Sequence, residues 1–182
     1  MSYDVILFDL DGTLLPRDQS AFIKDYFGRL VRRIAPLGYA PDDIVNAIWA
    51  GSAAMVKNDG QRTNEEAFWD SFASVCGERI RKEEPHFAAF YREEFDEVRH
   101  SCGFLPEAAS AVRSLKEMGL RVILATNPLF PSAATECRIR WAGLSLYIDS
   151  CTDNSFCLHL SNFRICNCKT KTSVSHHWVE FM

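Results

Sequence analysis

Apolar and polar positions follow three regimes along the chain. Residues 5–8, "VILF", form an unbroken apolar run that stops at Asp9-Leu10-Asp11. A short continuous run of strand-favouring residues predicts a fully buried strand of the kind found inside a parallel sheet. Gly12 and Pro16 then bracket a turn. From about residue 20 to 100 the apolar positions recur at helical spacing, with few strand signals. One helix is expected over 21–34, stopping near Pro36-Leu37-Gly38. A second is expected over 41–57, opened by Pro41 with Asp42 and Asp43 at its positive end. Thr63 and Glu66 have the spacing of a capping box and predict a helix through Val75. A fourth helix is expected over 83–99, with Phe87, Phe90, Tyr91, Phe95 and Val98 on one stripe. That stripe either packs the helices together or lines a pocket, and packing is the commoner use of such a face.

After Cys102-Gly103 the pattern changes again. Pro106 opens a helix to Met118, and Gly119 closes it. "LRVILA", 120–125, reads as a second strand, 131–143 as a helix, and "LSLYID", 144–149, as a weak third strand. A helical block therefore separates the first strand from the next strand-containing unit. The expected fold class is α/β: a three-layer, Rossmann-like parallel-sheet core, shortened, with an inserted α-helical cap. The core is expected over 1–17 and 101–150, the cap over 18–100, and an atypical tail over 151–182.

Composition narrows the function classes. Of the 182 residues 47 % are apolar, enough for a packed core. The net charge of −4 argues against a nucleic-acid partner. No run of 18 apolar residues is present, so no membrane span is expected. Asp4, Asp9 and Asp11 interrupt the N-terminal apolar stretch, so it does not read as a signal peptide. The seven cysteines are odd in number and lack framework spacing, which suits reduced thiols in the cytoplasm. Oligomeric state is left open.

The chemistry concentrates at Asp9 and Asp11. Residues i and i+2 of an extended chain project to one side, so both carboxylates converge where the strand ends. That is the end of a parallel strand where ligands bind. Two carboxylates in one site repel unless a cation or proton sits between them. Hard oxygen ligands beside a small site suit Mg2+ with a substrate phosphate. Gly12 permits close backbone approach, and Thr13 offers a hydroxyl. A calcium loop starting at Asp9 would need Gly at its sixth position and Glu at its twelfth, but these are Leu14 and Ser20.

"DLDGT" directly after "VILF" resembles the first signature motif of the haloacid-dehalogenase superfamily of phosphatases and phosphotransferases. "LRVILATN", 120–127, resembles the second motif, and "GFLPEAASAVRSLKEMGL" the helix that leads into it. The helical block lies where the family's first type of cap is inserted. The resemblance runs from about residue 3 to about 150 and is close to phosphoglycolate-phosphatase-like members. It implies that Asp9 is a nucleophile forming an aspartyl-phosphate, and that Asp11 is a general acid and then a general base. Both would help hold Mg2+, Asp9 by its carboxylate and Asp11 by its backbone carbonyl. Gly12, Thr13 and Thr126 would bind phosphate. Asn127 would contact phosphate or cap, or else simply start the Asn-Pro turn. The second Asp implies phosphate esters rather than carbon–halogen bonds. The implied partner is a small phosphorylated metabolite, such as phosphoglycolate or a sugar phosphate. A phosphomutase on the same scaffold and a catalytically inactive, phosphate-binding chain remain as alternatives.

The family's later motifs, a Lys and a final acid pair, are not recognisable. "TDNSFC" resembles the lead-in to a Lys-Pro pair, but Cys157 is followed by Leu158-His159-Leu160. Lys169 and Lys171 lie in a polar stretch, and Glu180 is the one acid after Asp153. Cys151, Cys157, Cys166, Cys168, His159, His176 and His177 are capable zinc ligands whose spacing fits known sites poorly. The abrupt change of composition near residue 157 resembles a shifted reading frame or an alternative terminal exon.

Overall fold

The computed structural model describes residues 4–127 and 129–151. The tail, with the zinc ligands considered beyond Cys151 and with Lys169 and Lys171, lies outside the described residues.

Strand β1 (Val5–Phe8) opens the chain. It pairs in parallel with β2 (Arg121–Leu124), Val5 opposite Arg121 and Phe8 opposite Leu124. The short β3 (Ser150–Cys151) pairs in parallel on the far side of β2, giving the order β1-β2-β3. This is a small parallel sheet of the Rossmann-like kind. Helix α5 (Pro106–Glu117) precedes β2, and α6 (Ser132–Trp141) lies between β2 and β3.

The helical segment between β1 and α5 comprises α1 (Gln19–Ile34), α2 (Pro41–Val56), α3 (Asn64–Cys76) and α4 (Glu84–Glu93). Its termini follow local chemistry. The Asp18 carboxylate accepts from Ala21 N at 2.9 Å and starts α1. The expected capping box forms: Glu66 N donates to Thr63 Oγ1 at 3.1 Å, and Thr63 N to Glu66 Oε2 at 2.8 Å. Helices α2 and α3 touch closely at Gly51, where an added Cβ would fall 2.5 Å from a Phe68 ring carbon. The chain enters and leaves this block side by side. Arg17 bridges Cys102 in antiparallel fashion, and Gly103 N donates to Pro16 O at 2.7 Å.

Three expectations change. Val5 to Phe8 are all half-buried rather than fully buried, because among the described residues β1 has a strand on one side only. The fourth helix ends at Glu93, and a 3-10 segment, Phe95–Ser101, continues the stripe. The tighter winding keeps residues three apart on one face. Phe95 and Val98 are both fully buried that way, with Phe95 stacked on Trp141 at 5.4 Å between centroids. The third strand begins at Ser150, not at residue 144. Residues 144–147 form the turn that closes α6, and the Asp149 carboxylate accepts from Val122 N at 2.7 Å, occupying the ladder position before the strand starts.

Candidate functional site

The parallel pairing of β1 with β2 places Asp9 and Thr126 at adjacent strand ends. Ala125 N donates to Phe8 O at 2.8 Å, so the ladder runs up to the site itself. The loop after β1 is then wound tightly on one acceptor. The Leu10 carbonyl receives Leu14 N at 3.0 Å and Leu15 N at 2.8 Å, and Gly12 N returns to Leu15 O at 2.9 Å. Buried Leu10, Leu14 and Leu15 anchor this loop in the core. Gly12 has φ +79°, a conformation that a side chain would strain, and it lies exposed with open space around it.

Asp9 is fixed from several directions. Thr13 Oγ1 donates to its Oδ2 at 2.9 Å. The Leu10 backbone and the buried Thr126 side chain also hydrogen-bond to it. Burial raises the Asp9 carboxyl above its ordinary range, the Thr13 bond opposes this, and the nearby charge of Asp11 adds to the rise. The structure thus gathers Asp9, Asp11, Thr13 and Thr126 at one strand end. Asn127 is adjacent in the loop, and its carbonyl accepts from Leu129 N at 2.8 Å, the turn role.

Two cations that the sequence reading did not single out complete the site. Arg138 of α6 is 1 % exposed, and its guanidinium hydrogen-bonds Asp11 Oδ2. It also donates to Ala134 O at 3.3 Å and Thr135 Oγ1 at 3.1 Å, and stands 4.3 Å over the Phe130 ring. Burial lowers the guanidinium's affinity for its proton, and the Asp11 charge opposes that. Arg17 Nη1 lies 3.4 Å from Asp11 Oδ1 without hydrogen-bond geometry, and that oxygen is buried with no hydrogen-bond partner among the described residues. A signal for Arg138 was present in the sequence. It occupies the helical face of Ala134 and Trp141, both buried, where an apolar residue would be ordinary.

The donor set fits a hard divalent cation. Asp9 is a desolvated carboxylate, the situation a cation relieves, while the Asp11 carboxylate is already paired with Arg138 and Arg17. Among the described residues the Asp9 side chain accepts from neutral donors, Thr13, Thr126 and the Leu10 backbone. Among the described residues no group of three or more His, Cys, Asp or Glu converges, so a metal here would rest on Asp9, Asp11, water and substrate oxygen.

No curated protein matches the chain. Among solved structures, that of a HAD phosphatase from Thermococcus onnurineus superposes with a TM-score of 0.47 at 16 % identity, covering 84 % of this chain and 63 % of that one. The chain thus spans less than two thirds of that protein's length. The family model of haloacid dehalogenase-like hydrolases matches residues 3–159, and the chain belongs to that hydrolase family.

Proposed function

We propose that the chain is a Mg2+-dependent phosphatase-type hydrolase of small phosphate esters that works through an aspartyl-phosphate on Asp9. The observation that carries this reading is the fixed, desolvated Asp9 carboxylate at the carboxyl end of β1, hydrogen-bonded by Thr13 and Thr126. In the proposed reaction an Asp9 oxygen bonds to phosphorus while the bond to the leaving oxygen breaks. Asp11 protonates the leaving oxygen through Oδ1, the oxygen with no hydrogen bond, because Oδ2 is held by Arg138. Water then attacks the acyl phosphate, Asp11 takes its proton, and inorganic phosphate leaves. Gly12, Thr13, Thr126 and Asn127 receive phosphoryl oxygens in the strand-end loops. The Asp9 carboxylate and the Asp11 carbonyl would hold Mg2+, which when bound would supply charge neutralisation for the phosphoryl group.

The division of labour is part of the proposal: core over 1–17 and 101–150, cap over 18–100. The paired crossings at Arg17 and Cys102 support it. The partner is a small phosphorylated metabolite, with neither nucleic acid nor membrane, and the location is the cytoplasm. Among the described residues Cys76, Cys102 and Cys137 form no disulfide, and no helix is long and apolar enough to cross a membrane.

Turnover is expected to be slow. The family's Lys and final acid pair are not recognisable in the sequence, and removing a charge clamp from phosphoryl transfer costs on the order of 10³-fold or more. An inactive, phosphate-binding chain is the second reading, favoured by the hold of Arg138 and Arg17 on Asp11. The test is hydrolysis of phenyl phosphate with Mg2+ and with EDTA, by the wild type and by Asp9→Asn. Slow, Mg2+-dependent release of phosphate that disappears in the variant is expected. Equal release by both proteins would refute the nucleophile, and turnover on the order of 10 per second, that of a median enzyme, would refute the impairment.

A further inference from the structure

A cavity of about 200 Å3 lies between α1, α2, α3, α4 and the loop at Leu129–Pro131. Its walls include Phe22, Phe27, Trp49, Phe68, Trp69 and Phe130. The stripe 87–98 therefore divides: Phe90, Phe95 and Val98 are fully buried packing, while Phe87 and Tyr91 face the cavity. We propose, resting on the phosphate-ester reading above, that this cavity holds the leaving group of the substrate, and that the leaving group is a single aromatic ring or a hydrophobe of that size.

Three observations support this. The first is continuity with the reacting groups. Arg17 lines the cavity and also stands 3.4 Å from Asp11 Oδ1. Phe130, another wall, carries the Arg138 guanidinium on its face. The cavity and Asp11 thus share Arg17 as a common border.

The second is size and chemistry. A dry cavity of roughly 150 Å3 lined by apolar side chains accepts benzene. The larger volume here admits one ring with a small substituent. Most of the lining is aromatic or aliphatic, so a ring buries against it, whereas a sugar hydroxyl set against those side chains is desolvated without a partner and weakens binding. Polar side chains also stand on the walls, Arg17, Gln19, Ser52, Glu65 and Glu84, and deeper in the lining the Tyr26 and Tyr91 hydroxyls hydrogen-bond each other at 2.5 Å. One of the two protons is donated within that pair, which leaves the other for a single oxygen on the ring. Burial pushes the Tyr91 hydroxyl up to about 12, so it remains a donor at neutral pH.

The third is orientation. Among the described residues Arg17 is the one cation in the cavity lining, and Glu65 and Glu84 stand on the walls from α3 and α4. A phosphate is drawn toward Arg17 and the strand-end loop, and repelled from the walls bearing the two glutamates. The ring then points into the helical block.

The experiment separates the cavity from the chemistry. The full chain is titrated with phenol, which carries no phosphate, and binding is read from tryptophan fluorescence of Trp49 and Trp69 and from fluorine NMR of fluorophenol. Ser52→Phe and Ala88→Phe fill the cavity, with the milder Ala88→Leu as the variant least disturbing to folding. Saturable phenol binding, weakened at least about tenfold in the filled variants, is expected. Phenyl phosphate should exceed glycerol phosphate in kcat/KM by roughly 10- to 100-fold, the value of burying one large apolar group. Filling should reduce that ratio. Absence of saturable phenol binding by the wild type, binding unaltered in all three variants, or equal turnover of the two esters would each overturn the proposal. Phenol binding that filling abolishes, in a protein that hydrolyses no ester, would uphold the ring site and overturn the phosphatase reading instead.

Discussion

Trp141 donates its indole N–H to Asp96 Oδ1 at 2.7 Å, joining α6 of the sheet-bearing part to the last turn of the helical block. Arg140 donates to the same oxygen at 2.9 Å, and Phe95 stacks on the indole. One residue of the block therefore uses a carboxylate, and its neighbour a ring, to grip a single buried tryptophan.

That grip makes a pH prediction. The Trp141 bond, and then the Arg140 bond, hold the Asp96 carboxyl below its usual range. A carboxylate depressed in the folded state contributes stability that is fully present above its unfolded value, about 3.9. It is lost as pH falls through the lower folded value. Asp96→Asn should therefore be less stable than wild type at neutral pH, and the gap should close as pH drops below about 4. Urea midpoints across that range are the check, and a pH-independent gap would disprove the linkage.

Arg138 and Asp11 form the next testable pair. Truncating one partner of a buried ion pair leaves an uncompensated charge and typically costs about 3–5 kcal/mol. Arg138→Met and Asp11→Leu should each be destabilising, and the double variant should recover much of the loss. Additive losses in denaturant melts would mean that the two side chains act independently.

Packing at Gly51 makes a third prediction. An alanine there meets the Phe68 ring at 2.5 Å. Helix propensity favours Ala over Gly by about 1 kcal/mol, but overpacking costs about 1–3 kcal/mol. Gly51→Ala is expected to be neutral to destabilising alone. It should become stabilising in a Phe68→Leu background, where the ring no longer opposes it. Thermal unfolding of the three variants decides the sign.

The edge of β1 makes a fourth. Among the described residues Val5 to Phe8 are half-buried and bonded to β2 alone. An apolar edge strand with free backbone groups is a template for association, and each group left unpaired when buried costs roughly 1–3 kcal/mol. Self-association on size-exclusion chromatography, with fast hydrogen exchange at residues 5–8, is expected. A monomer with strong protection there would show that the edge is covered.

Much of this was legible in the chain itself. The capping box at Thr63, the proline starts at Pro41 and Pro106, and the strand end at Asp9 are set by neighbours within four residues, and local pattern reads such features well. What was missed depends on distant partners. The turn into a 3-10 segment at Phe95 answers to Trp141, forty-six positions away in the sequence. The late start of β3 answers to Asp149 bonding Val122. Arg138 stands out in the sequence only by sharing the helical face of Ala134 and Trp141, and its partner shows once α6 is laid beside Asp11; the cavity at Phe87 and Tyr91 exists only once the helices are assembled.

The central claim, that Asp9 is the nucleophile, is tested most directly by trapping the acyl phosphate. The protein is incubated with phenyl phosphate and Mg2+, quenched in acid, treated with hydroxylamine, and digested for peptide mass mapping. A hydroxamate is expected on the peptide containing residues 5–15, located at Asp9 and absent from Asp9→Asn. Phosphate release with no modification on that peptide, or a hydroxamate on another residue, would contradict it.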